Sequence, residues 1–111
     1  MAKGGKKSSG GAAPGAGDAA RLDPRQIASE LASRPEWSDS GGTIQRTFAF
    51  KSFVESMAFV NKVAVAAEAM NHHPDILIRY NKVTMTLSTH DAGGITRKDF
   101  ELAAKMDAML A

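Results

Sequence analysis

Between Asp23 and Arg34 the apolar residues fall at helical spacing, with Ile27 and Leu31 four apart on one face. Asp23 is a good N-cap, Pro24 suits the first helical position, Gln26 stands at N3, and Leu22 can staple onto Ile27. Arg34-Pro35 ends this helix, because the residue before a proline is driven towards extended backbone. From Thr43 to Phe50 the period changes to two. Ile44, Arg46, Phe48 and Phe50 face one way and Thr43, Gln45, Thr47 and Ala49 the other, which predicts a strand entered through a Gly41-Gly42 turn.

Ser52-x-x-Glu55 is a capping box that opens the longest helix, running to about Asn71. Phe53, Met57, Val60, Ala64 and Ala67 give it an apolar stripe at helical offsets, and Val54, Ala58 and Val65 form a second apolar edge. Pro74 ends the helix. Two short runs follow, Ile76 to Tyr80 and Val83 to Ser88, the second with Val83, Met85 and Leu87 alternating against Thr84, Thr86 and Ser88. Asn81-Lys82 is read as the tight turn between them. Gly93-Gly94 makes another turn, and Thr96-x-x-Asp99 caps a last helix with Leu102, Met106, Met109 and Leu110 on one face. With a short strand near Trp37, these elements predict an α+β two-layer sandwich: an antiparallel sheet of about four strands with helices packed on one face.

Charge changes the picture only at one end. The 111 residues carry 14 Lys+Arg and 12 Asp+Glu, and the sequence pI is about 9.1. Residues 1–20 hold Lys3, Lys6, Lys7 and a single acid, Asp18, so residues 21–111 hold 11 bases and 11 acids. The basic pI belongs to a Gly/Ala/Lys-rich segment, read as a disordered tail, and the domain of residues 21–111 is neutral. A nucleic-acid surface has no electrostatic support there. There is no cysteine, which removes disulfide frameworks, thiolate zinc sites and thiol nucleophiles. No apolar run approaches a membrane span, and the N-terminal residues lack the apolar core of a secretory signal. The expectation is a cytoplasmic protein, with the nucleus open to a chain of this size.

The three histidines, His72, His73 and His90, lie within 19 residues. With Asn81-Lys82 as a two-residue loop, Tyr80 pairs with Val83, paired positions sum to 163, and His73 stands opposite His90. Three imidazoles then gather at one end of a hairpin, with Glu68, Asp75, Asp91 and Asp99 close in sequence. Three readings compete. A histidine at a helix C-terminus can serve free carbonyls and the helix dipole. Zinc is poorly served, since adjacent histidines diverge in extended chain and no i, i+4 pair exists. Acid–base catalysis suits a side chain that gains and loses a proton near neutral pH.

The pattern Glu68, His72-His73-Pro74, Tyr80-Asn81-Lys82-Val83, Leu87-Ser88-Thr89-His90-Asp91 and Asp99 resembles the pterin-4a-carbinolamine dehydratase family over about residues 22–110. The resemblance implies a cofactor-free and metal-free dehydratase of tetrahydropterin recycling, which removes water from 4a-hydroxytetrahydrobiopterin to give the quinonoid dihydropterin. It implies acid–base work for His72 and His90 and pterin binding or orientation for His73. Glu68 and Asp99 would position imidazoles, Ser88 and Thr89 would hydrogen-bond the pterin edge, Asn71 and Pro74 would border the substrate, and Trp37 would wall the pocket. Ile76 and Leu77 stand where animal-type members have aromatics. Asn71 and Lys98 stand where an acid and an arginine are common. The partners expected are the pterin and further copies of the chain, as a dimer or tetramer. The rival reading is a protein-binding module, because some members serve as dimerisation cofactors or coactivators of transcription factors.

Overall fold

The computed structural model describes residues 20–110; the expected tail of residues 1–20 lies, except for Ala20, outside them. The first helix, α1 (Pro24–Ala32), starts with the reciprocal cap the sequence predicts: Gln26 N–H donates to Asp23 Oδ1 and Asp23 N–H to Gln26 Oε1, both at 2.9 Å. The strands are β1 (Ser38–Asp39), β2 (Ile44–Ala49), β3 (Asp75–Arg79) and β4 (Lys82–Leu87), in the antiparallel order β1-β2-β4-β3. The helices α2 (Phe53–Met70) and α3 (Arg97–Ala108) complete the order α-β-β-α-β-β-α. The predicted four-stranded α+β sandwich is therefore the observed one. Val83, Met85 and Leu87 of β4, with Ile44 and Phe48 of β2, point into a core closed by Phe59, Val63 and Ala67 of α2 and Leu102, Ala103 and Met106 of α3. Gln45, Thr47, Thr84 and Thr86 alternate with these core residues and take the opposite face of the sheet.

Three expectations need correction. The loop between β3 and β4 is Tyr80-Asn81, not Asn81-Lys82, so pairs sum to 161: Asp75 faces Thr86 and Arg79 faces Lys82. Asn81 is tied to the end of β2, its carbonyl accepting from Phe50 N–H at 2.8 Å and its side-chain amide donating to Phe50 O at 3.1 Å. That anchor leaves Lys82 free to pair with Ala49, and Tyr80 takes the left-handed turn position at φ 55°. The shift is by two residues, so the core face of β4 is unchanged.

The buried face of α2 is Ser56, Phe59, Val63 and Ala67; Ala64 is exposed and Phe53 about half exposed. Apolar residues occupy much of this helix's circumference, so spacing alone does not choose a face. The rings of Phe48 and Phe50 choose it, lying 4.6 and 5.1 Å from that of Phe59. In α3 the inward residues are Asp99, Phe100, Leu102, Ala103 and Met106, and Leu110 is exposed beyond the helix end.

Candidate functional site

The end of α2 decides where the adjacent histidines go. Asn71 adopts the left-handed conformation (φ 52°, ψ 43°), and its N–H returns to Glu68 O. His72 N–H returns to Ala67 O at 3.0 Å, which completes a Schellman motif with Asn71 in the place usually taken by glycine. This reversal sends His72 inward and leaves His73 on the surface. Asn71 thus has a backbone duty, at a position the sequence marked for substrate. Pro74 follows as the half-buried link into β3.

Buried His72 meets the first turn of α3. Its Nε2 lies 2.6 Å from Oδ1 of Asp99, which is fully buried. The second oxygen of Asp99 accepts from Thr96 N–H and from Thr89 Oγ1–H, both at 2.9 Å. Asp99 therefore caps α3 and orients His72 at once; the two roles offered by the sequence coexist. The hydroxyl protons can be assigned. Thr89 has one proton and gives it to Asp99, so in the 2.7 Å contact between Thr89 Oγ1 and Thr96 Oγ1 the donor is Thr96. Thr96 Oγ1 in turn accepts from Lys98 N–H at 3.2 Å. With the carboxylate taking the Nε2 proton, the nitrogen of a neutral His72 that carries the lone pair is Nδ1.

Thr89 links this network to the third histidine. It precedes the short 3-10 turn His90–Ala92, and its backbone bridges to Gly94. His90 is exposed, and its side chain takes part in no hydrogen bond or ion pair among the described residues. His73 Nε2 lies 2.6 Å from Glu68 Oε2, an exposed pair on the last turn of α2. The observed register carries β3 back from Asp75 towards a position where His73 faces Ser88 and not His90.

The structure thus brings His72, Asp99, Thr89 and Thr96 into one hydrogen-bonded unit and leaves His73–Glu68 as a separate surface pair. His90 and the half-buried Ser88 flank Thr89 in the chain. Trp37 stands apart. It is buried edge-on to Phe48, and its indole N–H donates to both carboxylate oxygens of Asp107. The sequence singled out every member of the buried unit except Thr96, whose capping signature was the only signal and pointed to helix initiation alone.

A separate apolar cavity of about 410 Å³ lies between α1 and the Gly93–Ile95 turn, lined by Leu22, Ile27, Leu31 and Ile95 among others. It contains no histidine, and its one carboxylate is Asp39. No group of three or more His, Asp or Glu among the described residues is arranged to hold a metal ion. No described helix is long and apolar enough to cross a membrane.

Comparison with known proteins gives a consistent result. A family model described as pterin 4 alpha carbinolamine dehydratase matches residues 20–109. Relatives carrying the name "Putative pterin-4-alpha-carbinolamine dehydratase" include one from Picosynechococcus sp., 54% identical over 82% of this chain and 99% of its own. One from Sulfurisphaera tokodaii is 50% identical over 81% and 97%. A crystal structure of a transcriptional coactivator/pterin dehydratase from Brucella melitensis superposes with a TM-score of 0.79 at 33% identity, covering 82% of this chain and 99% of that one. A pterin dehydratase-like protein described as a RuBisCO assembly factor in the alpha-carboxysome gives 0.55 at 25% identity, over 65% and 83%.

Proposed function

Because the chain belongs to the pterin 4 alpha carbinolamine dehydratase family, we propose that it dehydrates a 4a-hydroxytetrahydropterin, with His72 and His90 as the acid–base pair. The observation that carries this reading is the buried Asp99–His72 contact, tied through Thr89 to the turn that starts at His90. In the reaction the C4a–O bond breaks, a proton is delivered to the departing oxygen, and a proton leaves the neighbouring ring nitrogen as a C=N bond forms. Substrate equals product plus one water, so no electron acceptor or covalent intermediate is required.

The geometry supports a division of labour. Asp99 holds the Nε2 proton of His72, so its free Nδ1 is an acceptor suited to take the ring-nitrogen proton. His90, exposed and unpartnered among the described residues, suits delivery of a proton to the departing oxygen. His73, steadied by Glu68, would orient the pterin together with Ser88 and Pro74.

The test is stopped-flow ultraviolet decay of a 4a-hydroxytetrahydropterin with and without the protein. His72→Ala and His90→Ala should each slow the catalysed reaction by roughly 10²–10⁴-fold, the usual worth of an acid–base group. Normal rates in both variants would sink the assignment.

A second reading, a protein-binding module, draws support from the exposed edge of α2, where Val54 and Val65 are uncovered and Phe53 half uncovered. The coactivator and assembly-factor descriptions of the two structural neighbours fit it as well. A pull-down in which the histidine variants keep every partner of the wild type, in a protein without dehydratase activity, would favour this module.

A further inference from the structure

Helix α1 lies on the domain without one fully buried residue. It is tied near its two ends. Leu22, just before the cap, is buried and its N–H donates to Ile95 O at 2.8 Å, and Glu30 meets Arg97 of α3 at 3.0 Å. Between these ties Ile27 and Leu31, four apart on one face, are only partly buried. That face borders the cavity of about 410 Å³, which Leu22 and Ile95 also line. A helix of nine residues is marginal alone and draws its stability from packing its apolar face, and here the face is left short of partners. An apolar cavity of about 150 Å³ holds a benzene ring, so this one has room for a ring and a chain of several carbons.

Among the described residues that line the cavity, Arg21 is the one cation and Asp39, at the exposed end of β1, the one anion. Arg21 takes part in no ion pair among the described residues. Its place is set by the backbone opposite it. A Cβ on Gly94 would lie 2.8 Å from Cδ of Arg21 and 3.2 Å from Cγ, so the Arg21 stem fills the space that this glycine leaves. Gly94 does not have a positive φ, so its missing side chain serves that close approach and not the turn. A Cβ on Gly93 would lie 3.9 Å from Nη1, which brings the guanidinium to the same turn. A guanidinium presents a planar fork that fits a carboxylate. Set beside an apolar cavity, it matches a molecule with an acid at one end and a hydrocarbon body at the other. One cation serves one carboxylate; a second carboxylate would find only Asp39.

We propose that the cavity between α1 and the Gly93–Ile95 turn binds an aromatic monocarboxylic acid, with its carboxylate on Arg21 and its ring against Ile27, Leu31 and Ile95. The occupant supplies the packing that α1 lacks. No histidine lines this site, and it does not depend on the dehydratase reading.

The probes are 3-phenylpropionate, its neutral amide 3-phenylpropanamide and the dianion phenylsuccinate, each titrated into the full chain by calorimetry and followed by methyl NMR. 3-Phenylpropionate should saturate with a Kd below about 1 mM and shift the methyls of Ile27, Leu31 and Ile95. The amide should bind about tenfold or more weakly, because it loses the charge-assisted bonds to the guanidinium. The dianion should bind more weakly than the monoanion. Arg21→Gln should abolish the preference for acid over amide and leave amide binding little changed. Gly94→Ala keeps the charge but its Cβ displaces the Arg21 stem, so it should abolish the same preference. No saturable binding, binding that leaves the three methyls unmoved, or equal affinity of the wild type for acid and amide overturns the proposal. An acid preference that survives either substitution does so as well. Methyl shifts that follow protein concentration and not added acid would seat a second copy in the cavity, and they too overturn it.

Discussion

His72 Nε2 and Asp99 Oδ1 lie 2.6 Å apart although 27 residues separate them, and each is placed by a helix end. The ring comes from the reversal after α2, the carboxylate from the first turn of α3. Because Asp99 also accepts from Thr96 N–H and Thr89 O–H, it cannot rotate away without breaking the cap of α3. Imidazole orientation and helix initiation are one arrangement.

Asp99→Asn tests that coupling. The amide oxygen can keep Thr96 N–H and Thr89 O–H, so the cap survives and stability should fall by about 1 kcal/mol. The amide nitrogen then faces His72 as a donor and forces its proton from Nε2 to Nδ1. The dehydration rate should fall by about 10²-fold or more. Nitrogen-15 NMR of labelled histidine reads the tautomer directly. An unchanged tautomer beside a lowered rate would show that Asp99 acts in some other way.

Thr89→Val keeps the shape of the side chain and removes its hydroxyl. Asp99 Oδ2 loses one donor and the Thr96 hydroxyl loses its acceptor, so the variant should lose about 1–3 kcal/mol in urea unfolding. Thr89→Ser keeps the hydroxyl and should recover most of that loss. A Thr89→Val variant as stable as the wild type would show that the hydroxyl's hydrogen bonds contribute nothing to the fold.

The elements were legible because their signals are local. Asp23, Ser52 and Thr96 mark the three helix starts, and the alternation of Val83, Met85 and Leu87 fixes the inner face of β4. The errors arose where a distant contact decides. Asn81 belongs to the turn because Phe50, 31 residues away, holds it. Phe59 and not Phe53 faces inward because two rings of the sheet side await it. The histidine trio was found from composition and spacing, yet its division into a buried and a surface imidazole depends on the left-handed Asn71, which spacing does not reveal.

Asn71 separates a backbone role from a substrate role. At φ 52° a side chain with Cβ is disfavoured, and asparagine tolerates the position better than alanine does. Asn71→Gly should be neutral or slightly stabilising, and Asn71→Ala should cost about 1 kcal/mol in thermal or urea unfolding. A fall in activity for Asn71→Gly at unchanged stability would return Asn71 to the substrate, as the family pattern suggested.

Asp107 and Trp37 supply the corresponding test away from the histidines. Asp107 receives Arg34 at 3.0 Å, Arg46 at 2.7 Å and the indole of Trp37 at 3.0 Å, joining the segment after α1, strand β2 and helix α3. Arg46 also lies over the ring of Phe48, 4.3 Å from its centroid. Asp107→Asn leaves both guanidinium groups without their counter-charge. Removing one partner of a fully buried pair costs about 3–5 kcal/mol; with the Asp107 side chain 21% exposed, a loss of about 2–3 kcal/mol is expected. Trp37→Phe removes only the N–H donor and part of the ring, and should cost about 1–3 kcal/mol. Both variants should keep the wild-type dehydration rate per folded molecule, because neither residue touches the Asp99–His72 unit. A raised KM in Trp37→Phe with kcat unchanged would put the indole against substrate and restore it as a wall of the pocket.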